Sequence, residues 1–424
     1  MRVQLSWAVR LTLFLGIALT LTLGSASVAP AAVGVAGLQS DLAGQLRLAG
    51  PADGAYVYDL TTHQVLFSER ATTMRAPASV EKLFTAAGAL ERLGPEYRLA
   101  TTVFGSGHLA PGGVWEGSLY LHGGGDPTFG SGAFIARHYG GLGSSVSTLA
   151  KQLKAAGIAR VSGQVLGDES IFDSLRGEPS SDYAPDPFLE GSLSALAFNR
   201  GETGRERGAH APAAYAARQL RVAMRAAGVH VSGSGGAVAG VPAGALQLAS
   251  LPSPTVAQLV GLMLPPSDNF FAEMLVKAMG ARLAGAGTTP AGAGVVSATV
   301  SSQLGIHPRV YDGSGLSEAN RTSPYQVADM LVELYPTAIG ALLRSKMAVA
   351  GRTGTLEKRM RRTAAAGRCV GKTGTLTGVS NLVGYCPSSD GHMLAFAIFN
   401  DGVGVTTART VQDHIAITLA SSAP

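Results

Sequence analysis

Ser79 and Lys82 lie three residues apart at the start of a stretch of good helix formers, which predicts a helix over 79–93. On a helix this spacing places both side chains on one face, nearly one turn apart. The hydroxyl of Ser79 would then lie in the positive field at the helix N-terminus, close to the amine of Lys82. This arrangement suits a serine nucleophile with a lysine as its base. For these two residues alone, a capping serine followed by a solvated lysine is the alternative interpretation.

Two further motifs are built from residues that are scarce in this chain. Among the seven lysines, only Lys82 has a serine three residues before it. The motif Ser-Asp-Asn at 267–269 is the only Ser-x-Asn among the five asparagines, and Lys-Thr-Gly occurs only at 372–374. Three ordered motifs of this kind predict that distant segments fold together around one hydroxyl group.

Each motif residue has an expected role in a hydrolytic site. Ser79 is the candidate nucleophile, and Lys82 can accept its proton only if burial and a second cation lower the pKa of the amine. Lys372 is the expected second cation, which would stay charged and hold a substrate carboxylate. Ser267 can pass a proton to the leaving amine, and Asn269 can hold Lys82 or a substrate amide.

The segment that contains Lys372 predicts a strand beside the substrate. Thr373 and Thr375 alternate along it with Lys372 and Gly374. We expect Gly374 to let a substrate backbone lie close to the strand edge. The backbone N–H groups of Ser79 and Thr375 would form an oxyanion hole. Without the other motifs, a turn that closes a loop would be the preferred interpretation of Lys-Thr-Gly.

Two nearby segments have weaker patterns. Residues 352–355 copy the last motif with arginine in place of lysine, but a polar run follows them, so we expect them to lie behind the site. The basic run over 358–362 predicts a solvated helix face, with an anionic surface or substrate as the alternative.

Composition excludes several classes of protein. The chain has 424 residues, of which 46% are hydrophobic and 14% charged, which is enough for a packed core and more than one typical domain. The net charge of +5 falls to +3 without Arg2 and Arg10 (5 − 2 = 3), which is too weak to indicate nucleic-acid binding. The nine histidines do not cluster at ligand spacing, so neither a metal nor a cofactor is expected.

The N-terminus predicts a secretory signal over 1–26. An apolar core over 11–23 is followed by small residues over 24–26, where cleavage is expected. An uncleaved membrane anchor is the alternative, because the apolar stretch approaches spanning length. Either way, we expect the protein to work outside the cytoplasmic membrane.

The two cysteines, Cys369 and Cys386, fit an oxidising compartment. They flank a turn that is predicted at 376–379, so they would face each other if the segment is a hairpin. A bridge between them and two unpaired buried thiols are both open at this point.

Periodicity and turn residues divide the mature chain into three parts. The parts over 34–96 and 251–424 are expected to form one catalytic domain, and the β-rich part over 97–250 is expected to be an insertion. The fold class is α/β of mixed order (α+β), with an antiparallel sheet flanked by helices. Outside the serine helix, helices are predicted over 38–48, 146–156, 211–227, 255–264, 270–283, 291–304, 324–335 and 406–420.

The three motifs resemble those of the low-molecular-mass class C penicillin-binding proteins, the D-alanyl-D-alanine carboxypeptidase/endopeptidase family of serine peptidases (peptidase family S13). Further family-like stretches lie at 125–128, 312–317, 320–321 and 354–356. The interval of 188 residues from Ser79 to Ser267 has room for the inserted domains of this family. Class A β-lactamases have a far shorter interval.

The resemblance implies a penicilloyl-serine transferase (β-lactamase/transpeptidase-like) fold. It implies cleavage of the D-Ala-D-Ala end of peptidoglycan stem peptides, endopeptidase action on cross-links, and acylation of Ser79 by β-lactams, in the periplasm or cell wall and without metal or cofactor. By motif matching, the site residues implied are Ser79, Lys82, Ser267, Asn269, Lys372, Thr373, Gly374 and Thr375. A serine β-lactamase and a non-catalytic peptidoglycan-binding protein with a degenerate site are the alternatives.

Overall fold

A six-stranded antiparallel sheet forms the centre of the computed structural model, which describes residues 34–201 and 211–424. In spatial order its strands are β10 (Ala348–Val349), β11 (Val370–Leu376), β12 (Val379–Pro387), β13 (Met393–Asp401), β1 (Gly54–Asp59) and β2 (Gln64–Glu69). The strand predicted for the segment that contains Lys372 is confirmed as β11. The signal expected over 1–26 lies outside the described residues.

Helices cover both faces of this sheet, which explains why β12 and β13 are apolar almost throughout. Successive residues of a strand point to opposite faces, so Leu382 and Phe396 pack on one helical layer and Val383 and Phe399 on the other. The first layer consists of α1 (Val35–Ala49) and α11 (Val405–Ser421). The second consists of α2 (Glu81–Arg92), α6 (Val256–Met263), α7 (Asn269–Leu283), α8 (Thr289–Leu304), α9 (Pro324–Leu334) and α10 (Ala338–Ser345).

A second sheet is built from seven strands that follow α2 and precede α6. They are β3 (Arg98–Ala110), β4 (Val114–His122), β5 (Arg160–Val161), β6 (Val165–Asp168), β7 (His230–Val231), β8 (Gly235–Val238) and β9 (Leu246–Thr255). Strand β3 pairs antiparallel with β4 and β9, and the short strands pair parallel. Helices α4 (Val146–Ala155) and α5 (Pro212–Ala226) pack on this sheet around a core of its own, and α3 (Gly132–Tyr139) precedes them. The described residues nevertheless cluster as one compact unit, and the boundaries of the insertion stay a prediction.

The basic run over 358–362 is not a helix face. It follows a 3-10 turn, Gly354–Leu356, and continues as irregular turns in which Met360 is buried and has a φ of 57°. Arg359 is drawn onto α11, because its guanidinium pairs with Asp413 at 2.8 Å. The predicted solvated helix face is therefore wrong.

Within 34–201 and 211–424, none of the helices combines the length and the apolar character that crossing a membrane requires.

Candidate active site

Ser79 lies in a short 3-10 turn, two residues before α2 begins. Ala78 in this turn has a φ of 47°, a left-handed conformation that strains a residue other than glycine. The side chain of Asn381 on β12 holds the turn, because its Nδ2 atom donates to the carbonyl oxygens of Ala76 and Pro77 at 3.0 and 2.9 Å. The candidate nucleophile is therefore fixed directly on the main sheet.

The amine of Lys82 is fully buried beside three oxygen atoms. Its Nζ atom lies 2.9 Å from Oγ of Ser79. It also lies 2.6 Å from Oδ1 of Asn269 and from the backbone oxygen of Ser314. Burial lowers the pKa of Lys82 to about 8, although nearby carboxylates oppose the shift. In its neutral form the amine can donate to the last two oxygens and accept the hydroxyl hydrogen of Ser79.

The turn between α6 and α7 carries Ser267 and Asn269, as predicted from the sequence. Ser267 has a φ of 67°, which makes it a second left-handed residue of the site. Asp268 caps α7, because its Oδ1 atom accepts the backbone N–H of Phe271 at 3.0 Å. Asn269 is the first residue of α7, and its Nδ2 atom donates to the backbone oxygen of Phe188 at 2.8 Å. These contacts fix the amide of Asn269 with its oxygen toward Lys82.

Strand β11 brings Lys372 against Ser267. The Nζ atom donates to Oγ of Ser267 at 2.7 Å and to the backbone oxygen of Thr373 at 2.8 Å. The side chain is fully buried, and no carboxylate of the described residues pairs with it. Burial and, to a smaller extent, the charge of Lys82 lower the pKa of Lys372 well below its ordinary value. This environment opposes the permanent charge that the sequence interpretation assigns to Lys372.

Gly374 packs directly against the turn of the nucleophile. A Cβ atom at this position would lie 2.4 Å from the carbonyl oxygen of Pro77. The protein's own turn therefore occupies the space that we expected a substrate backbone to use. Of the two neighbours of this glycine, Thr375 is exposed. The hydroxyl of Thr373 donates to the hydroxyl of Thr355 at 2.8 Å.

A cavity of about 480 Å³ opens where the three motifs meet. Four predicted site residues line it, namely Ser79, Ser267, Thr373 and Thr375. The other four lie against these residues, with Lys82, Asn269 and Lys372 hydrogen-bonded into the site and Gly374 packed on the nucleophile's turn. Nowhere in the described ranges do three His, Cys, Asp or Glu side chains come together as metal ligands.

One edge of β11 faces this cavity without a strand partner. Strand β10 pairs with β11 only at Val370 and Gly371, whereas β12 pairs with it along its whole length. From Lys372 onward, no strand of the described residues lies on that edge. An extended peptide can add to such an edge through main-chain hydrogen bonds.

The rest of the cavity wall comes from residues that the sequence analysis did not count among the catalytic candidates. They are Gly354, Thr355, Glu357, Lys358, Arg359 and Arg409. The copied motif at 352–355 therefore reaches the cavity itself instead of lying behind it. Two signals in the sequence marked this position, its similarity to Lys-Thr-Gly and the family-like stretch over 354–356.

A pair of buried carboxylates holds the loop that supplies the backbone oxygen of Ser314. Glu273 accepts the N–H groups of Gly313 and Ser314 at 2.9 and 2.7 Å. Asp312 accepts the N–H of Gly315 at 2.7 Å. Burial raises the pKa of both carboxyl groups. Glu273 had no assigned role in the sequence interpretation, although it lies one helical turn after Asn269 and therefore on the same side of α7.

Arg200 connects the region before α5 to the turn between α6 and α7. Its guanidinium pairs with the carboxylate of Asp268, and its Nε atom donates to the hydroxyl of Tyr139 at 3.0 Å. A weaker contact of 3.3 Å reaches Glu190, whose side chain is 67% exposed. No local pattern in the sequence marks Arg200, because its partners are distant along the chain.

A disulfide joins Cys369 and Cys386 at the open end of the β11–β12 hairpin. Val370 lies opposite Tyr385, so the neighbouring cysteines also face each other, with a Cα–Cα distance of 4.2 Å. Of the two possibilities that the sequence left open, the structure has the bridge.

One family model matches the chain in two adjacent stretches. The model of the D-Ala-D-Ala carboxypeptidase 3 (S13) family matches residues 36–187 and 188–422. A D-alanyl-D-alanine carboxypeptidase of Actinomadura sp. is 32% identical over 460 residues, which cover 89% of this chain and 82% of that protein. A carboxypeptidase of Mycobacterium tuberculosis is 29% identical over 415 residues, which cover 93% of this chain and 84% of that protein.

Solved structures share the fold. Penicillin binding protein 4 from Haemophilus influenzae superposes with a TM-score of 0.75 at 20% identity, over 88% of this chain and 97% of that chain. A predatory peptidoglycan endopeptidase from Bdellovibrio bacteriovorus superposes with a TM-score of 0.52 at 17% identity, over 82% of this chain and 85% of that chain. The predicted fold, an antiparallel sheet flanked by helices of the penicilloyl-serine transferase type, is confirmed.

Proposed function

The chain belongs to the D-Ala-D-Ala carboxypeptidase 3 (S13) family, and from this premise we propose that it cleaves peptidoglycan stem peptides through an acyl-enzyme on Ser79. It is a hydrolase, a serine-type D-alanyl-D-alanine carboxypeptidase. One observation carries the assignment of the nucleophile. The hydroxyl oxygen of Ser79 lies 2.9 Å from a buried amine whose pKa is lowered to about 8, and it opens onto a cavity.

In the first half-reaction, Oγ of Ser79 attacks the carbonyl carbon of the penultimate D-alanine and gives its proton to Nζ of Lys82. We assign the backbone N–H groups of Ser79 and Thr375 to the developing oxyanion, where each donor is worth about 2.7–4 kcal/mol. Collapse of the intermediate breaks the C–N bond and leaves an ester on Ser79. Ser267, hydrogen-bonded to Lys372, passes a proton to the departing amine of the terminal D-alanine.

After acylation, Ser267 replaces the proton that it gave to the amine with the one that Lys82 took from Ser79, which leaves Lys82 neutral. In the second half-reaction, water attacks the ester carbon, and Lys82 accepts a proton from that water and returns it to Oγ of Ser79. The C–O bond to Ser79 breaks, the shortened stem peptide leaves with a new carboxylate, and the serine hydroxyl is restored. The contacts of Asn269 and Ser314 with Lys82 support this role, because they hold the amine beside Ser79 throughout the cycle.

The same site explains two further activities. A cross-link presents the same D-alanine carbonyl with the amine of a neighbouring stem as leaving group, so endopeptidase cleavage needs no additional catalytic group. A β-lactam has its leaving nitrogen within the ring, so attack by Ser79 opens the ring and leaves a penicilloyl ester. The substrates belong to the cell wall, so we place the protein outside the cytoplasmic membrane, in line with its disulfide.

Intact-mass measurement after treatment with penicillin tests the assignment of Ser79. We expect one adduct on the wild type and none on Ser79→Ala. The exposed serine variant Ser302→Ala on α8 should be labelled like the wild type. A wild type that forms no adduct and releases no D-alanine from stem peptides would refute the proposal. Rapid turnover of the adduct would instead favour a serine β-lactamase.

A further inference from the structure

Two basic side chains on the wall of the active-site cavity have no acidic partner among the residues that the structure describes. Lys358 follows the 3-10 turn beside Thr355, and Arg409 lies on the first turns of α11. Both side chains are exposed, and neither forms an ion pair with any residue of 34–201 or 211–424. Their charges are therefore free to meet a ligand.

The other charged residues of this wall already form ion pairs with residues of opposite charge. Arg359 pairs with Asp413 at 2.8 Å and with the side-chain oxygen of Gln412 at 3.0 Å. The carboxylate of Glu357 lies 3.6 Å from the guanidinium of Arg361, four residues later in the chain. The uncompensated charge of the described cavity wall is consequently positive and comes from Lys358 and Arg409.

Lys372 does not line the cavity itself. It is fully buried, and its amine donates to Ser267 and to the backbone oxygen of Thr373. Those contacts place the amine beside Ser267, the proposed proton donor to the leaving amine, and not on the open wall. A carboxylate that enters the cavity needs another cation.

Resting on the proposed function, we infer that Lys358 and Arg409 form a cationic subsite that binds a carboxylate of the peptide substrate and determines the preference for acidic peptides. Arginine and lysine bind a carboxylate through charge-assisted hydrogen bonds, and a cleft whose wall carries one sign of charge concentrates ligands of the opposite sign. The carboxylate has two possible sources in a stem peptide, the C-terminus and an acidic residue that precedes the scissile bond. The two residues then act on substrate binding and leave the acylation chemistry unchanged.

Hydrolysis of matched peptides tests this subsite and distinguishes the two sources. The first pair is a peptide that ends in D-Ala-D-Ala with a free C-terminus and its C-terminal amide. The second pair has a free C-terminus and carries either a glutamate or its amide upstream. We expect Lys358→Gln/Arg409→Gln to raise KM about five- to tenfold for the peptide whose carboxylate is bound, with kcat nearly unchanged and with no effect on its amide partner.

Arg362→Gln is the matched control, because Arg362 belongs to the same basic run, is exposed and does not line the cavity. It should leave KM unchanged. The wild-type preference for the carboxylate should also weaken between low and high salt, and the double variant should show no such dependence. The single variants Lys358→Glu and Arg409→Glu should each raise KM more than the corresponding glutamine variants.

Penicillin labelling at saturation separates the two levels of the proposal. If the double variant is fully labelled on Ser79 and its KM equals that of the wild type for all four peptides, the subsite is overturned and the catalytic function stands. If the wild type is neither labelled nor active on any peptide, the function and the subsite are both overturned.

Discussion

At the scale of single residues, the chemistry depends on an amine that must lose its proton before it can act. Burial lowers the pKa of Lys82 to about 8, whereas the carboxylates of Asp312 and Glu273 favour its charged form. Below this pH most Lys82 side chains carry the proton and cannot accept another from Ser79. Above it, most are neutral and ready to act as the base.

We therefore expect acylation by penicillin to accelerate as the pH rises through about 8. Well below that value the rate should rise about tenfold per pH unit, and above it the rate should become constant, because the neutral fraction follows this course. The rate of adduct formation between about pH 6 and pH 9.5 measures the effect. A rate that does not change across this range would contradict the assignment of Lys82 as base.

Gly374 gives a second prediction at this scale. In Gly374→Ala the new Cβ atom would lie 2.4 Å from the carbonyl oxygen of Pro77, so the turn that carries Ser79 must move. We expect a loss of about 1–3 kcal/mol in the free energy of unfolding, measured in urea, together with slower penicillin labelling of the folded enzyme.

Gly294→Ala is the control for that variant. Gly294 lies exposed in the middle of α8, and nothing lies within 4 Å of a Cβ atom placed there. Alanine should raise stability by about 0.5–1 kcal/mol and leave labelling unchanged. Equal stability and labelling of Gly374→Ala and the wild type would rule out the close contact with the turn.

The catalytic candidates could be predicted from the sequence because their residue types are rare and their order is specific. Glu273 and Arg409 could not, since each belongs to the site only through a partner or a wall that folding brings near. Lys358 had a signal only as part of the basic run, for which an anionic surface or substrate was the alternative interpretation. The sequence also suggested a charged Lys372, because it does not show that this side chain becomes completely buried.

At the scale of helices and strands, the sequence predicted elements whose ends carry clear capping residues. Helix α8 begins after Thr288, whose hydroxyl accepts the N–H of Ala291 at 3.2 Å, and it ends at the left-handed Gly305. Strand β9 has no strong signal in the sequence, for a physical reason. Pro252 and Pro254 interrupt its sequence, and proline cannot donate to a sheet, but β9 lies at a sheet edge where this is tolerated.

The disulfide at the end of the β11–β12 hairpin leads to a prediction about these two strands. It links residues that are 17 apart, and closing a loop of about this length stabilises a protein by about 3 kcal/mol. We expect Cys369→Ala/Cys386→Ala to lose about 2–4 kcal/mol in urea unfolding. Reductant should destabilise the wild type similarly and leave the double variant unaffected. A wild type that is equally stable with and without reductant would contradict this role.

At the scale of the whole molecule, the region with the second sheet contributes directly to the geometry of the site. Arg200 pairs with Asp268, and Phe188 accepts a hydrogen bond from Asn269. Both contacts reach the turn between α6 and α7. The sequence predicted a β-rich region here, but it could not show this connection, because neither residue lies in a recognisable motif.

Arg200→Ala should therefore affect stability and acylation together. It would leave the carboxylate of Asp268 largely buried without its partner, at an expected loss of about 3–5 kcal/mol in the free energy of unfolding. The measurements are urea unfolding and the rate of penicillin labelling. Glu190→Gln is the control, because that side chain is exposed and its loss should change stability by about 0.5 kcal/mol or less. If Arg200→Ala behaves like the control, the link between the two regions is unimportant.

Ser79, the Ser-Asp-Asn turn and Lys372 are spread over most of the chain, and only the finished tertiary structure brings them together. Before β11 packs against these segments, the site is incomplete, and the hydroxyl of Ser79 is too weak a nucleophile to react with a β-lactam. A fluorescent β-lactam added during refolding would therefore label only those molecules whose site is complete. The delay before labelling begins would measure how long the contacts between these distant segments take to form.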